Sequence, residues 1–133
     1  MPARKIASIL RKIASDYETQ GSVLVVFNND NQMSELNSRF MGKTGPTDVL
    51  AFNLAETGSD NYIEGEIYVD LQVAAKQATS FKVSYPEEVT RLCVHGLLHL
   101  LGFDDVNPPA KKKMWDIQEK YLVEFKIKGL HGH

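Results

Sequence analysis

Residues 94–105 read Val94-His95-Gly96-Leu97-Leu98-His99-Leu100-Leu101-Gly102-Phe103-Asp104-Asp105. His95 and His99 stand four residues apart. Leu92, Val94, Leu97, Leu98, Leu100 and Leu101 surround them, so the stretch reads as a buried helix. Residues i and i+4 lie on one helical face a turn apart, where two imidazoles can reach one ion. Gly102 follows His99 at the offset where a left-handed residue ends a helix. The turned chain can then bring Asp105 back toward the same point. Two helical histidines and a third ligand beyond a glycine stop, H-x3-H-x2-G-x2-D, make a zinc-type pattern. A bare HxxxH is weak, because imidazoles also serve as ordinary core and surface groups. The glycine and the acidic pair at fixed offsets are what favour a metal. Zinc peptidases place a glutamate base directly after the first histidine. Here that place is Gly96, which cannot move a proton, so a peptidase reading is poor.

Upstream, Ser84 opens this helix, Pro86 sits in its first turn and Glu87 completes an S-x-x-E capping box. From Ser84 to Leu101 the helix would run roughly 27 Å. Cys93 within it reads as a small buried hydrophobe, with a ligand role as the alternative.

Nearer the N-terminus, Ile6, Ile9, Leu10, Ile13 and Tyr17 mark an amphipathic helix over residues 3–19, stopped by Gly21. Arg4, Lys5, Arg11 and Lys12 decorate its other face, as a solvated surface or a phosphate-attracting edge. Ser22 to Phe27 is a β-branched run and reads as a strand. Asp30 or Asn31 caps a short helix over residues 32–40, with Met33, Leu36, Asn37 and Phe40 on one side. Residues 47–52 form a second strand, and the alternation over 63–71 a third. Asp70 caps a helix to residue 81. After a break at Asn107 to Pro109, a last helix over 110–125 buries Met114, Ile117, Tyr121, Leu122 and Phe125, and Trp115 can extend that stripe. Lys111, Lys112 and Lys113 open it as a solvated face or a phosphate contact.

The order α-β-α-β-β-α-α-α predicts an α+β fold: a small mixed sheet of three to four strands packed with about five helices, with the histidine helix in the core. At 133 residues the chain suits one domain over 1–133, and the tail 129–133, with His131 and His133, is expected to be flexible. A net charge of -2 does not announce a nucleic-acid binder, so any RNA contact needs a local basic patch. A single cysteine excludes an internal disulfide and suits a reducing compartment. No apolar run is long enough to span a membrane, and no secretion signal is visible.

Three stretches together resemble the YbeY family of metal-dependent endoribonucleases. Glu35-Leu36-Asn37 through Gly42, Lys43 and Pro46-Thr47-Asp48-Val49-Leu50-Ala51-Phe52 is similar to the family's LN-x-x-(Y/F)-R-x-K-x-x-PTDVLSF string. Gly65-Glu66-Ile67-Tyr68-Val69 resembles its GDI-x-I strand. His95 to Asp105 resembles HGxLHLxGYDH. The resemblance covers about residues 35–106 and implies a cytoplasmic protein holding one divalent ion, Zn2+ above others. It implies cleavage of single-stranded RNA, work on ribosomal RNA maturation at the 3′ end of the small-subunit RNA, and ribosome quality control. His95, His99 and Asp105 are then the expected metal ligands, Asp104 and Arg39 candidate catalytic groups, and Lys43, Lys111, Lys112 and Lys113 candidate RNA contacts.

Two departures stand out. The family's third ligand is His, and the aligned residue is Asp105, a competent but harder oxygen donor, from which either weaker zinc affinity or a move of selectivity toward another divalent ion is expected. The family's arginine after the aromatic is Met41, while Arg39 lies two residues earlier. A methionine cannot hold a phosphate. Two rival readings keep the same site: hydrolysis of another substrate, such as a small phosphoester or amide, and a ribosome-associated binding protein whose metal is structural.

Overall fold

A computed structural model of the chain describes residues 3–55 and 61–127. Five helices and three strands occur among them: α1 (Ala3–Asp16), β1 (Gln20–Asn28), α2 (Asp30–Met41), β2 (Val49–Asn53), β3 (Tyr62–Asp70), α3 (Leu71–Phe81), α4 (Tyr85–Leu100) and α5 (Pro108–Glu124). The sheet order is β1-β3-β2. β1 lies parallel to β3, pairing Val25 with Ile67, and β2 runs antiparallel, pairing Ala51 with Ile67. This is the mixed sheet and α+β class expected. No helix among the described residues is long and apolar enough to cross a membrane.

α4 is the axis of the core. It packs against α1, α3, α5, β2 and β3. Val89, Leu92, Val94, Leu97 and Leu98 are buried on it. At roughly 1.5–3 kcal/mol each, these five side chains contribute on the order of 10 kcal/mol. That outweighs any net gain from the charges α4 also buries. Gly96 shows how tightly the helix lies on the sheet. A Cβ there would meet the Ile67 side chain at 2.7 Å and Val49 at 3.4 Å. Position 96 therefore faces the sheet, and a glutamate in this place would have no room.

Local chemistry sets most boundaries. Ile6, Ile9, Leu10 and Ile13 are buried along α1, as their spacing predicts. The helix nevertheless ends at Asp16, because Glu18 turns left-handed at φ 51. Gly21 is then the second residue of β1 rather than a helix stop. The cap of α2 is Asn29, whose side chain accepts from the Gln32 N–H, one residue before the expected position. Asp70 caps α3 through the N–H groups of Gln72 and Val73, as expected. Ser84 caps α4 and accepts from the Glu87 N–H at 3.1 Å. α5 begins earlier than predicted. Asn107 is its cap, and Pro108 and Pro109 occupy its first turn, where no N–H is missed. Its buried stripe is Met114, Gln118, Glu119, Tyr121 and Leu122. Trp115 does not extend that stripe and is 52% exposed. The expected tail, with His131 and His133, lies outside the described residues.

The start of α4 carries a buried ion cluster. Arg91 donates to Glu87 at 2.6 Å, to Glu88 at 2.8 Å and to Glu119 of α5 at 2.9 and 3.0 Å. Burial alone would lower the Arg91 pKa, but these carboxylates reverse the effect and leave it raised. For Glu88, burial wins over Arg91, and its carboxyl is pushed up.

Candidate metal centre

The last turn of α4 presents His95 and His99 on one face, with Nε2 atoms 3.1 Å apart. The helix stops directly afterwards. Gly102 adopts φ 101, a conformation open to glycine, and the chain turns back. This return places Asp105 so that one ligand atom each from His95, His99 and Asp105 lie within 4.8 Å of one another. The histidines are half-buried and Asp105 is exposed.

Both rings are held from behind. His95 Nδ1 sits 2.9 Å from the Gln118 Oε1 atom. The Gln118 amide is itself oriented, because its Nε2 donates to Glu119 at 3.0 Å. Gln118 therefore offers His95 an acceptor. The Nδ1 position carries the proton and Nε2 keeps its lone pair. Burial lowers the His99 pKa, and the neighbouring His95 lowers it further, against Asp105 and a hydrogen bond to the Phe103 backbone. A depressed pKa favours the neutral ring, which is the ligating form.

This donor set fits a divalent ion. Two imidazoles and a carboxylate are zinc ligands, and bonds of about 2.0–2.1 Å place tetrahedral ligand atoms about 3.3–3.4 Å apart. The 3.1 Å separation of the two Nε2 atoms is close to that edge. Two nitrogen lone pairs at this distance call for a proton or a cation between them. Cys93, by contrast, is fully buried, and its thiol is pushed up to about 12 by burial, as suits an inert core residue.

A cleft of about 340 Å³ opens beside this trio, lined by His95, Asp105, Pro108, Lys111, Lys112, Met114, Trp115 and Gln118. A larger cavity, about 510 Å³, runs between α1 and β1 and includes none of His95, His99 and Asp105. The chemistry, rather than the size, singles out the smaller one. Lys111 and Lys112 thus stand at the centre. Lys113 lies over the Phe103 ring at 5.8 Å. Asp104 is exposed, and one of its oxygens accepts from the Val106 N–H at 3.3 Å, a turn contact. Arg39 is not brought to the cleft. It pairs with Glu35 at 3.2 Å and lines a separate cavity beside Tyr68. Lys43 is exposed in the loop after α2, and Met41 ends that helix with its side chain exposed. Gln118 escaped the sequence reading. The available signal was a polar residue on the apolar stripe of α5, four residues after Met114 and three before Tyr121.

Fold and site define an α+β protein with two helical imidazoles and a carboxylate gathered beside an open cleft. Residues 2–126 match the family described as endoribonuclease YbeY. The endoribonuclease YbeY of Beutenbergia cavernae is 38% identical over 113 residues, covering 80% of this chain and 75% of the relative. That of Thermodesulfovibrio yellowstonii is 33% identical over 141 aligned positions, covering 93% of this chain and 89% of the relative. A Thermotoga maritima protein solved in solution superposes with a TM-score of 0.64 at 30% identity, covering 92% of this chain and 79% of that one. The chain belongs to the endoribonuclease YbeY family.

Proposed function

We propose that this protein is a metal-dependent endoribonuclease that cuts single-stranded RNA in the cytoplasm. Its task is ribosomal RNA maturation, including the 3′ end of the small-subunit RNA, and ribosome quality control. Family membership supports hydrolysis of RNA. The convergence of His95, His99 and Asp105 within 4.8 Å carries the metal dependence.

His95 and His99 would hold the ion through Nε2, with Asp105 as the third donor. The two imidazoles favour Zn2+, while the exposed carboxylate admits harder ions. When bound, such an ion supplies Lewis-acid polarisation of a phosphoryl oxygen and lowers the pKa of water. A set of three protein donors would suit a hydrolytic rather than a closed structural site. Lys111 and Lys112, which line the cleft, orient the RNA backbone by charge. Asp104 has one oxygen in its turn contact and offers the other as proton acceptor.

The test pairs elemental analysis with cleavage of a single-stranded RNA by wild type and His99→Ala. Wild type is expected to hold one equivalent of metal and to cut. The variant should lose both while keeping its circular dichroism spectrum. Equal cleavage by the variant, or by chelated wild type, would refute metal dependence. If chelation melts the protein and metal-loaded protein cuts no RNA, the structural-metal reading wins.

A further inference from the structure

Trp115 is the one tryptophan of the chain, and it is 52% exposed. Its indole is anchored without being buried. The Arg91 guanidinium lies over the ring, 5.9 Å from the centroid, within the cation–π range of about 6 Å. Arg91 is itself clamped by Glu87, Glu88 and Glu119. The ring therefore borders the cleft from a fixed base, and that cleft also contains His95 and Asp105. Its volume of about 340 Å³ lies at the small end of the roughly 300–1,000 Å³ range of ligand sites. Lys111 sits one helical turn before Trp115, about 6 Å along α5. It has no ion pair among the described residues, whereas Lys112 holds Asp116 at 2.7 Å. A rigid aromatic ring with a free cation one turn away combines the two elements of a single-strand platform: a π-face for a base and a charge for the backbone.

We infer that Trp115 stacks an unpaired nucleobase of the RNA next to the metal centre, with Lys111 on an adjoining phosphate. This rests on the endoribonuclease reading and deepens it. It names the residue that distinguishes unpaired RNA from a bare phosphate chain. A base held in a duplex cannot present its face to Trp115, so the cleft selects single strands.

Because Trp115 is the sole tryptophan, its fluorescence reports the contact directly. The experiment titrates the full-length protein with 5′-labelled hexaadenylate and with a 5′-labelled abasic ribose-phosphate hexamer, reading affinity from the anisotropy of the label and stacking from the tryptophan emission. Hexaadenylate should quench saturably, and the abasic chain should bind more weakly and leave the emission unchanged. Trp115→Ala should weaken hexaadenylate binding about 5- to 150-fold, the equivalent of about 1–3 kcal/mol per stacked base. Trp115→Phe, which keeps a ring, should retain most of the affinity. Equal binding of the two oligomers, or unaltered affinity in Trp115→Ala, would overturn the inference while leaving the endoribonuclease reading intact. If wild type bound neither oligomer and cut no RNA, the endoribonuclease reading itself would fall. Should Trp115→Ala not fold, the wild-type comparison of the two oligomers and the Trp115→Phe variant still decide.

Discussion

The two ends of α4 treat polar groups in opposite ways. At its start, Arg91 meets three carboxylates at 2.6–3.0 Å, and the cluster is sealed in the core. At its end, two imidazoles aim Nε2 atoms at each other across 3.1 Å, with an exposed carboxylate for company. The first arrangement is complete within the protein. The second satisfies the back of His95 through Gln118 and leaves the front unresolved. Both are polar groups on an otherwise apolar helix. What separates architecture from site is where the remaining lone pairs point.

The largest expected effect is at the closed end. Arg91→Ala removes the guanidinium that pairs with Glu87, Glu88 and Glu119 in the core. Breaking a buried charge cluster by removing one partner costs about 3–5 kcal/mol. Urea denaturation should show a loss of that size, with metal content per folded molecule unchanged. A loss below about 1 kcal/mol would mean that the cluster is as dispensable as a surface ion pair, and the contrast between the ends would collapse.

The open end should behave in reverse. Asp105→Ala removes an exposed carboxylate, so the stability of metal-free protein should move by no more than about 0.5 kcal/mol. Its metal content, read by elemental analysis, should fall well below one equivalent. Asp105→His should keep the equivalent, because imidazole is the softer and better zinc donor. Full metal retention in Asp105→Ala would remove Asp105 from the ligand set. Gln118→Leu probes the link between the ends, since Gln118 joins Glu119 to His95. Loss of the acceptor frees the His95 ring and its tautomer. Such outer partners are worth about 10- to 100-fold in metal affinity. A competition titration should show that loss. Equal affinities would mean that Gln118 merely packs.

The halves of this contrast were unequally legible in the sequence. The open end was written in local spacing: His95 and His99 one turn apart, Gly102 as the stop and Asp105 beyond it. Apolar periodicity likewise exposed the α+β order and the buried face of α1. The closed end was not legible, because Glu119 meets Arg91 across 28 positions and only tertiary packing joins them. The same blindness hid Gln118, a polar residue on an apolar stripe. Trp115 failed in the other direction. Its size argued for the core, but its place on α5 turns it toward the cleft. Prolines 108 and 109 read as a break because their missing N–H groups forbid a helix interior, yet a first turn tolerates them. Gly96 carried a packing meaning, contact with Ile67, that no spacing could announce.

Unresolved polar groups do not by themselves make a site, and the Asp30–Asp70 pair sharpens that point. Asp70 is fully buried at the end of β3, and its carboxylate faces Asp30 at the start of α2. One oxygen of each has no hydrogen-bond partner among the described residues. Burial raises the Asp70 pKa, and the neighbouring Asp30 adds to it. A carboxyl with a raised folded pKa binds protons that the unfolded chain releases. Its penalty therefore grows as pH rises from the ordinary carboxyl range through the raised value, and it is full at neutral pH. Asp70→Asn keeps an acceptor for the Gln72 and Val73 N–H groups and adds a donor for Asp30. The variant should be more stable than wild type by about 1 kcal/mol at pH 7, with a smaller gain near pH 4. Thermal melts at the two pH values measure both. If Asp70→Asn were destabilised at pH 7, the buried pair would be satisfied in some other way, and lone pairs left facing each other would no longer distinguish the open end of α4 from the core.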